Sequence, residues 1–439
     1  MSFVDRGVAA YKAGDTPEAI ACFDAALAGD VGNWEALTHL ASIWHDHQQF
    51  GQAYALATQA ARYNPSAETL NEVARALVGM QEHETALEVL TKAHEIDPTH
   101  VPTVNNAGMI CVGLARYDEA WNWLTKPQTL EPDIERNKAF VHLYRQEWDE
   151  GWRCYDLGVG KGDRVERHKY LPQWHPGAPG PTIIYGEQGI GDEIQFASCI
   201  WDAMGDMESP IIETMPRLAG LFSRSFPGAK VYGTRYEDVP RWLIDEQPKN
   251  RISVAQLPGI YRKTTESFPG TPYLKACSGR RAMVKGLLAP MPRKKKIGIA
   301  WSGGLPHTGR DDRSVELDDL MMAFAHIDAE FISLEHTLAE GYSPEERGVH
   351  VFPYITDRNL DYDYTTSLVS ELDLVVSVPT AVVHLAGALG TPTLVLLNSR
   401  PQWRCGGPSM LWYRSVEVLR DWTPESVRDR INEVIHGAE

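Results

Sequence analysis

The chain has 439 residues, enough for two to four domains with sizeable cores, and its 43% apolar and 23% charged content are ordinary for a soluble globular protein. A formal net charge of −17 argues against a broad electrostatic grip on nucleic acid or anionic membrane, while leaving room for a local basic groove. The sequence contains no apolar run near the ~20 residues of a membrane span. Met1–Arg6 lacks the charged and apolar regions of a signal peptide. Six cysteines (Cys22, Cys111, Cys154, Cys199, Cys277 and Cys405) have no paired or metal-type spacing. A reduced, cytoplasmic protein is the expectation.

The first third is periodic. Ala19, Ala53, Ala86 and Ala120 recur in steps of 34, 33 and 34, and Ala26, Ala60 and Ala93 keep the same spacing. Pro65, Pro98 and Pro132 close successive units. This period, with these small residues and the closing proline, resembles the tetratricopeptide repeat (TPR), a pair of antiparallel helices that buries its apolar face only by stacking on a neighbour. A fifth, degenerate unit carries Trp148, Trp152 and Tyr155, candidate seals against the next domain. Arrays of this kind bind extended partners on a concave face, and they also serve as spacers or dimerising elements. Asn71, Asn105 and Asn106 fall on the helices that would line that face, where amides can hold a peptide backbone. The helical region is assigned to residues 1–157 and a linker to 158–180, dense in proline and glycine from Leu171 to Pro181.

An α/β region of residues 181–290 opens with the strand Thr182–Tyr185, then the glycine-rich turn and helix Gly186-Glu-Gln-Gly-Ile-Gly-Asp-Glu-Ile-Gln-Phe196. Gly189 and Gly191 allow backbone N–H groups to approach a ligand closely. Asp192 also has a purely structural explanation, as the N-cap of a capping box with Gln195 reaching back. Ile194, Ala197 and either Ile200 or Trp201 would face the sheet. Further strands are predicted at Pro210–Thr214, Ala229–Tyr232 and Ile252–Leu257.

A second boundary near Ala289–Lys296 introduces residues 291–420. Strand Ile297–Trp301 runs into a loop holding Ser302, Gly303, His307, Arg310, Arg313 and Ser314, a mixture of hydroxyls, N–H groups and guanidinium that suits a pyrophosphate, though solvated loops are polar as well. Glu330–Leu334 and Val349–Phe352 continue the sheet. Strand Asp373–Val378, helix Thr380–Gly390 and strand Thr393–Leu397 form a tight unit whose strands should be parallel. Ligands in such sheets sit at the carboxyl ends of the strands, which places Ser377, Thr380 and His384 beside one. Residues 421–439 contain a closing helix, with Thr423 as N-cap and Pro424 at its first position.

Gly186–Phe196, Gly298-Ile-Ala-Trp-Ser-Gly303, Asp311-Asp-Arg-Ser314, Thr380–Gly390 and Trp403-Arg404 occur in order. Together with the repeats they resemble TPR-fused glycosyltransferases related to the ADP-heptose lipopolysaccharide heptosyltransferases, glycosyltransferase family 9. The resemblance implies an α plus α/β chain: a TPR solenoid followed by two Rossmann-like domains in the GT-B architecture, the first for the acceptor and the second for the nucleotide-sugar donor. It implies Asp192 as general base and an acceptor-side loop of Glu187, Gln188, Gly189 and Gly191. It also implies donor and phosphate contacts from Ser302, Gly303, His307, Arg313, Ser314, Thr380, Ala381 and His384. No metal or other cofactor is expected, since enzymes of this kind are metal-independent and Asp361-Tyr-Asp363 sits before a helix rather than at a strand end.

One departure stands out. Relatives carry aspartate before the Thr of the last motif, whereas this chain has Val378-Pro379-Thr380. Proline fits sterically at the first position of a helix but supplies no carboxylate. Two readings are open. In the first the chain is an active glycosyltransferase whose TPR array recruits acceptor or partner, or self-associates; the acceptor is a protein, a glycan or a modified nucleic acid. In the second it is a catalytically lapsed TPR scaffold that retains a nucleotide- or glycan-binding GT-B domain.

Overall fold

The computed structural model describes residues 1–126, 131–162, 164–304, 313–336, 338, 343–352, 361–397, 403–405 and 410–437. The chain divides into two compact units, Met1–Val141 and His142–Glu439. Among the described residues no helix is long and apolar enough to cross a membrane.

The first unit is a TPR-like solenoid. Its helices are α1 (Phe3–Lys12), α2 (Thr16–Gly29), α3 (Trp34–Asp46), α4 (Phe50–Tyr63), α5 (Ala67–Gly79), α6 (His83–Ile96), α7 (Val101–Gly113) and α8 (Tyr117–Leu124), followed by α9 (Pro132–Tyr144). Starts are capped by side chains: Ser2 accepts from the N–H of Asp5, Asp15 from Glu18, Asn33 from Ala36 and Ser66 from Thr69. Ala19, Ala53, Ala86 and Ala120, the periodic small residues, are all buried on the second helix of each pair, where a methyl is as much as the close approach admits. The turns within pairs repeat as well. Gly14, Gln48, Gln81, Ala115 and Gln146 all take a positive φ, between 58 and 83°. Only the first is glycine, so this second period is invisible in composition. Asn106 Nδ2 donates to Asn71 Oδ1 at 2.9 Å and Asn137 Nδ2 to Asn105 Oδ1 at 2.7 Å, linking successive first helices by their amides.

The second unit begins with α10 (Trp148–Asp156) and contains two all-parallel sheets. The first sheet uses β1 (Thr182–Tyr185), β2 (Pro210–Glu213), β3 (Lys230–Tyr232) and β4 (Asn250–Ser253), in the order β3-β2-β1-β4. Between and after its strands lie α11 (Ile190–Phe196), α12 (Ile200–Asp206), α13 (Ala219–Ser225), α14 (Trp242–Glu246), α15 (Pro258–Tyr261) and α16 (Ser278–Leu288). The second sheet uses β5 (Lys295–Ala300), β6 (Ala329–Ser333), β7 (Val349–His350), β8 (Leu374–Ser377), β9 (Thr393–Leu397) and β10 (Val416–Arg420), in the order β10-β9-β8-β5-β6-β7. Its helices are α17 (Leu317–Ala323), α18 (Asp363–Val369), α19 (Ala381–Leu389) and α20 (Pro424–His436).

Burial explains why these short runs form strands. Leu374, Val375 and Val376 of β8 and Val395 of β9 are fully shielded, and each such aliphatic side chain is worth about 1.5–3 kcal/mol against exposure. The predicted strands are present, with β4 starting two residues earlier than expected and giving way to a 3-10 turn at Val254–Gln256. β10 was missed: Val416-Glu-Val-Leu-Arg420 alternates over only one short stretch, and its pairing with β9 fixes it. Thr423 caps α20 as expected, accepting from Ser426 N with Pro424 at the first position.

In both sheets the order of strands reverses beside the first one, between β1 and β4 and between β5 and β8. Ala300 pairs with Ser377 at the second reversal. In doubly wound sheets ligands bind at the carboxyl edge beside such a reversal.

Candidate functional site

The turn after β1 is built around three buried carboxylates. A Cβ on Gly186 would stand 2.0 Å from Glu193 Oε1, so glycine here makes room for an acid folded beneath the turn. Glu193 accepts from Thr214 Oγ1 and from Met215 N at 3.3 Å, and pairs with Arg235. Glu187, fully shielded, takes Arg164 Nε at 2.8 Å; Glu213 takes Arg167 Nε and His168 Nε2, each at 2.8 Å. Burial pushes the Glu187 carboxyl above its usual range, with Arg164 opposing. Gln188 is turned aside too: its side-chain amide meets Tyr155 of α10 at 2.9 and 3.0 Å. Of the predicted acceptor-side residues, Glu187 and Gln188 therefore hold the turn in place, and Gly189 and Gly191 form its surface.

Asp192 lies inside the first turn of α11, whose N-cap is Gly189. The capping-box explanation is thus corrected: the helix starts three residues earlier than it requires, because Gly189 supplies the extended cap backbone. Asp192 instead pairs with Arg404 Nη2, whose Nε also donates to Gln195 Oε1 at 2.8 Å. Ile194, Ala197 and Ile200 are buried while Trp201 is 44% exposed, which settles the inward face.

The end of β8 comes to the same place. Thr380 is the N-cap of α19 and accepts from Val382 N at 3.3 Å, while Ser377 Oγ lies 3.3 Å from Thr380 Oγ1. Pro379 therefore precedes the cap; the expectation that it occupies the first helical position is corrected, and Ala381 stands there. A Cβ on Gly191 would sit 3.3 Å from both Ala381 Cα and His384 Cδ2, so the two helix starts meet across a bare glycine. His384 Nδ1 faces Tyr413 Oη at 3.2 Å; that hydroxyl is 3.4 Å from Tyr273 Oη, which donates to the carbonyl of Ile194 at 2.6 Å. Burial, then the charge of Arg404, hold the imidazole down to about 3, so it is neutral at physiological pH.

At the end of β5, Val378 N donates to Ala300 O at 3.0 Å, which brings the β5 loop beside Thr380. Gly303 N donates to Ser314 Oγ at 2.9 Å, and a Cβ on Gly303 would be 2.5 Å from that of Arg313. The structure thus brings Ser302, Gly303, Arg313 and Ser314 together. It also adds an unexpected partner: Glu335 Oε1 accepts from the N–H groups of Trp301 and Ser302, at 2.7 Å each. His307, with Arg310, Asp311 and Asp312, lies outside the described residues. Asp361 and Asp363 are engaged by arginines, Arg280 on both and Arg224 on Asp363.

Trp148, Trp152 and Tyr155 do pack as a seal. Trp152 meets Phe196, Trp403 and Trp412, and Trp148 lies against Phe268 at 4.8 Å. Sequence reasoning gave no site role to Arg404, Tyr413 and Tyr273; the only signal for Arg404 was its neighbour in the Trp403-Arg404 pair.

No protein-family model matches the chain. It is similar to the protein FlbA of Caulobacter vibrioides, 24% identical over 94% of this chain and 79% of that one. Among solved structures, a TPR protein of Thermus thermophilus shares 22% identity over 36% of this chain and 90% of that chain, with a TM-score of 0.33. PilF of Pseudomonas aeruginosa shares 19% over 37% and 76%, with a TM-score of 0.34.

Proposed function

We propose that this chain is a GT-B glycosyltransferase, heptosyltransferase-like and metal-independent, that moves a sugar from a nucleoside-diphosphate sugar to an acceptor hydroxyl. In this reading the two parallel sheets are Rossmann-like acceptor and donor domains, and the TPR array recruits the acceptor or a protein partner. The observation that carries it is the meeting of Asp192 and Gly191 with Ala381, His384 and Arg404 beside the reversal in strand order of both sheets. That meeting puts a carboxylate, a neutral imidazole, a guanidinium and the start of α19 within one small volume.

The chemistry fits such a set. Asp192 takes the acceptor proton as the hydroxyl oxygen bonds to the anomeric carbon; the bond to the diphosphate breaks and its electron pair leaves on the phosphate oxygen. Charge developing on that oxygen is met by the start of α19 and the cations of the Arg313 loop. His384, being neutral, contributes a hydrogen bond rather than charge.

The second reading, a lapsed enzyme that still binds a nucleotide or glycan, is favoured by Pro379 at the position of the relatives' aspartate and by Glu335 on the N–H groups of Trp301 and Ser302. A panel of ADP-, UDP-, GDP- and dTDP-linked sugars, read by thermal shift, tests the nucleotide-sugar binding that the first reading requires and the nucleotide-binding form of the second shares. A ligand at ~100 times its Kd adds about 2.7 kcal/mol of stability, well within detection. A flat panel contradicts the first reading and the nucleotide-binding form of the second.

A further inference from the structure

Arg404 is held from three sides. Its Nη2 meets Asp192, its Nε meets Gln195 one turn further along the same face of α11, and its guanidinium lies 4.5 Å from the ring centre of Trp403. Trp403 is itself 7% exposed, edge-on to Trp152 at 5.9 Å and tilted against Tyr155 at 6.0 Å. A solvated surface arginine loses rotamer entropy with every contact; one clamped between an aromatic plane and two acceptors is preorganised. Arg404 follows β9 of the second sheet, whereas Asp192 follows β1 of the first. The pair therefore forms only where the ends of the two sheets are together.

Asp192 is engaged through one oxygen. Oδ1 receives the guanidinium; Oδ2 has no hydrogen-bond partner among the described residues and lies 3.2 Å from where a Cβ on Gly189 would stand. The absence of a side chain at Gly189 keeps the approach to Oδ2 open. The carboxylate plane is consequently fixed by one oxygen while the other faces the glycine turn.

We propose that Arg404 is the positioning residue for Asp192: supplied from the second sheet, it orients the carboxylate so that Oδ2 takes the acceptor proton, and it completes the base only when the two sheet ends meet. This rests on the glycosyltransferase reading. Arg404 itself exchanges no proton, remaining a guanidinium throughout. It is not assigned to the donor phosphates, because its Nε and Nη2 are already engaged by α11.

The test uses the full chain with Arg404→Gln, Arg404→Lys, Asp192→Ala and the Gln/Ala double variant. The first readout needs no substrate: if the two side chains form one unit, the fall in Tm of the double variant is smaller than the sum of the single falls. The second is release of nucleoside diphosphate from whichever sugar of the panel above the wild type hydrolyses, at saturating donor. We expect Arg404→Gln to lower kcat by about 10- to 100-fold, the usual cost of a misplaced group, with donor KM unchanged. Arg404→Lys should recover part of that loss, and Arg404→Gln should cost nothing further once Asp192 is alanine. Additive Tm changes, multiplying kcat losses, or a raised donor KM with kcat intact would each overturn the assignment. A wild type that turns over no sugar refutes the glycosyltransferase reading instead, and the Tm comparison still decides whether Arg404 is fixed to Asp192.

Discussion

Asp156, at the last position of α10, carries an electrostatic strain that can be measured through its pH dependence. Burial raises its carboxyl from 3.8 to about 7; Arg164 opposes that and Glu187 adds to it. Oδ1 is buried without a hydrogen-bond partner, and the helix C-terminus is itself unfavourable for an anion. The folded chain thus keeps a proton that the unfolded chain releases near pH 3.8, so the stabilising contribution is complete below that pH and lost as pH rises to about 7. At about 1.4 kcal/mol per pH unit the ceiling is about 4 kcal/mol. Solvent screening at this half-buried position reduces this, and we expect about 2 kcal/mol. Asp156→Asn cannot titrate. Urea unfolding of wild type and variant at several pH values should show the variant gaining on the wild type from about pH 4 to about pH 7 and holding its gain above. Any cost of burying the amide is the same at all pH values and drops out of the slope. Parallel stability curves for the two proteins would refute the reasoning.

Three further outcomes are expected. Asp192→Asn leaves an oxygen for Arg404 but no base, so turnover should fall by about 10²–10⁴ with little change in Tm; near-wild-type turnover at saturating donor and acceptor would remove Asp192 from the chemistry. Gly387→Ala places a Cβ 2.3 Å from Tyr413 Cγ and should lower stability by about 1–3 kcal/mol in urea titration, since α19 cannot shift without disturbing Tyr413 and its contact with His384. Removing residues 1 to about 131 should abolish transfer to the natural acceptor while slow donor hydrolysis survives; equal loss of both would make the solenoid a structural support rather than a recruiting surface.

The helix pairs and the parallel strands were legible because both are written in apolar periodicity. Alanines every 34 or 33 residues mark the closest helix contacts, and the short β-branched runs at Thr182–Tyr185 and Leu374–Ser377 read as buried strands. Gly189, Gly191, Thr380 and His384 could be placed because a glycine turn or a cap fixes them relative to a strand end. The pairing of Asp192 with Arg404 was not legible, since it joins residues 212 positions apart through a side chain with five donors. Glu187 illustrates the converse. Next to Gln188 and Gly189 it looks like a free acid in a binding loop, and only the packing of Arg164 reveals that it is fully buried. Glu335 escaped for a similar reason: nothing local marks a carboxylate that folds back onto the N–H groups of Trp301 and Ser302.

The most direct measurement of the central claim is chromatographic detection of nucleoside diphosphate released by the purified full chain from each nucleotide sugar of the panel, alongside the Asp192→Asn variant. The account predicts release from one class of nucleotide sugar, without added metal, and a loss of about 10²–10⁴ in the variant. Binding of a nucleotide sugar with no release above the buffer rate, or release that the variant reproduces, would contradict it.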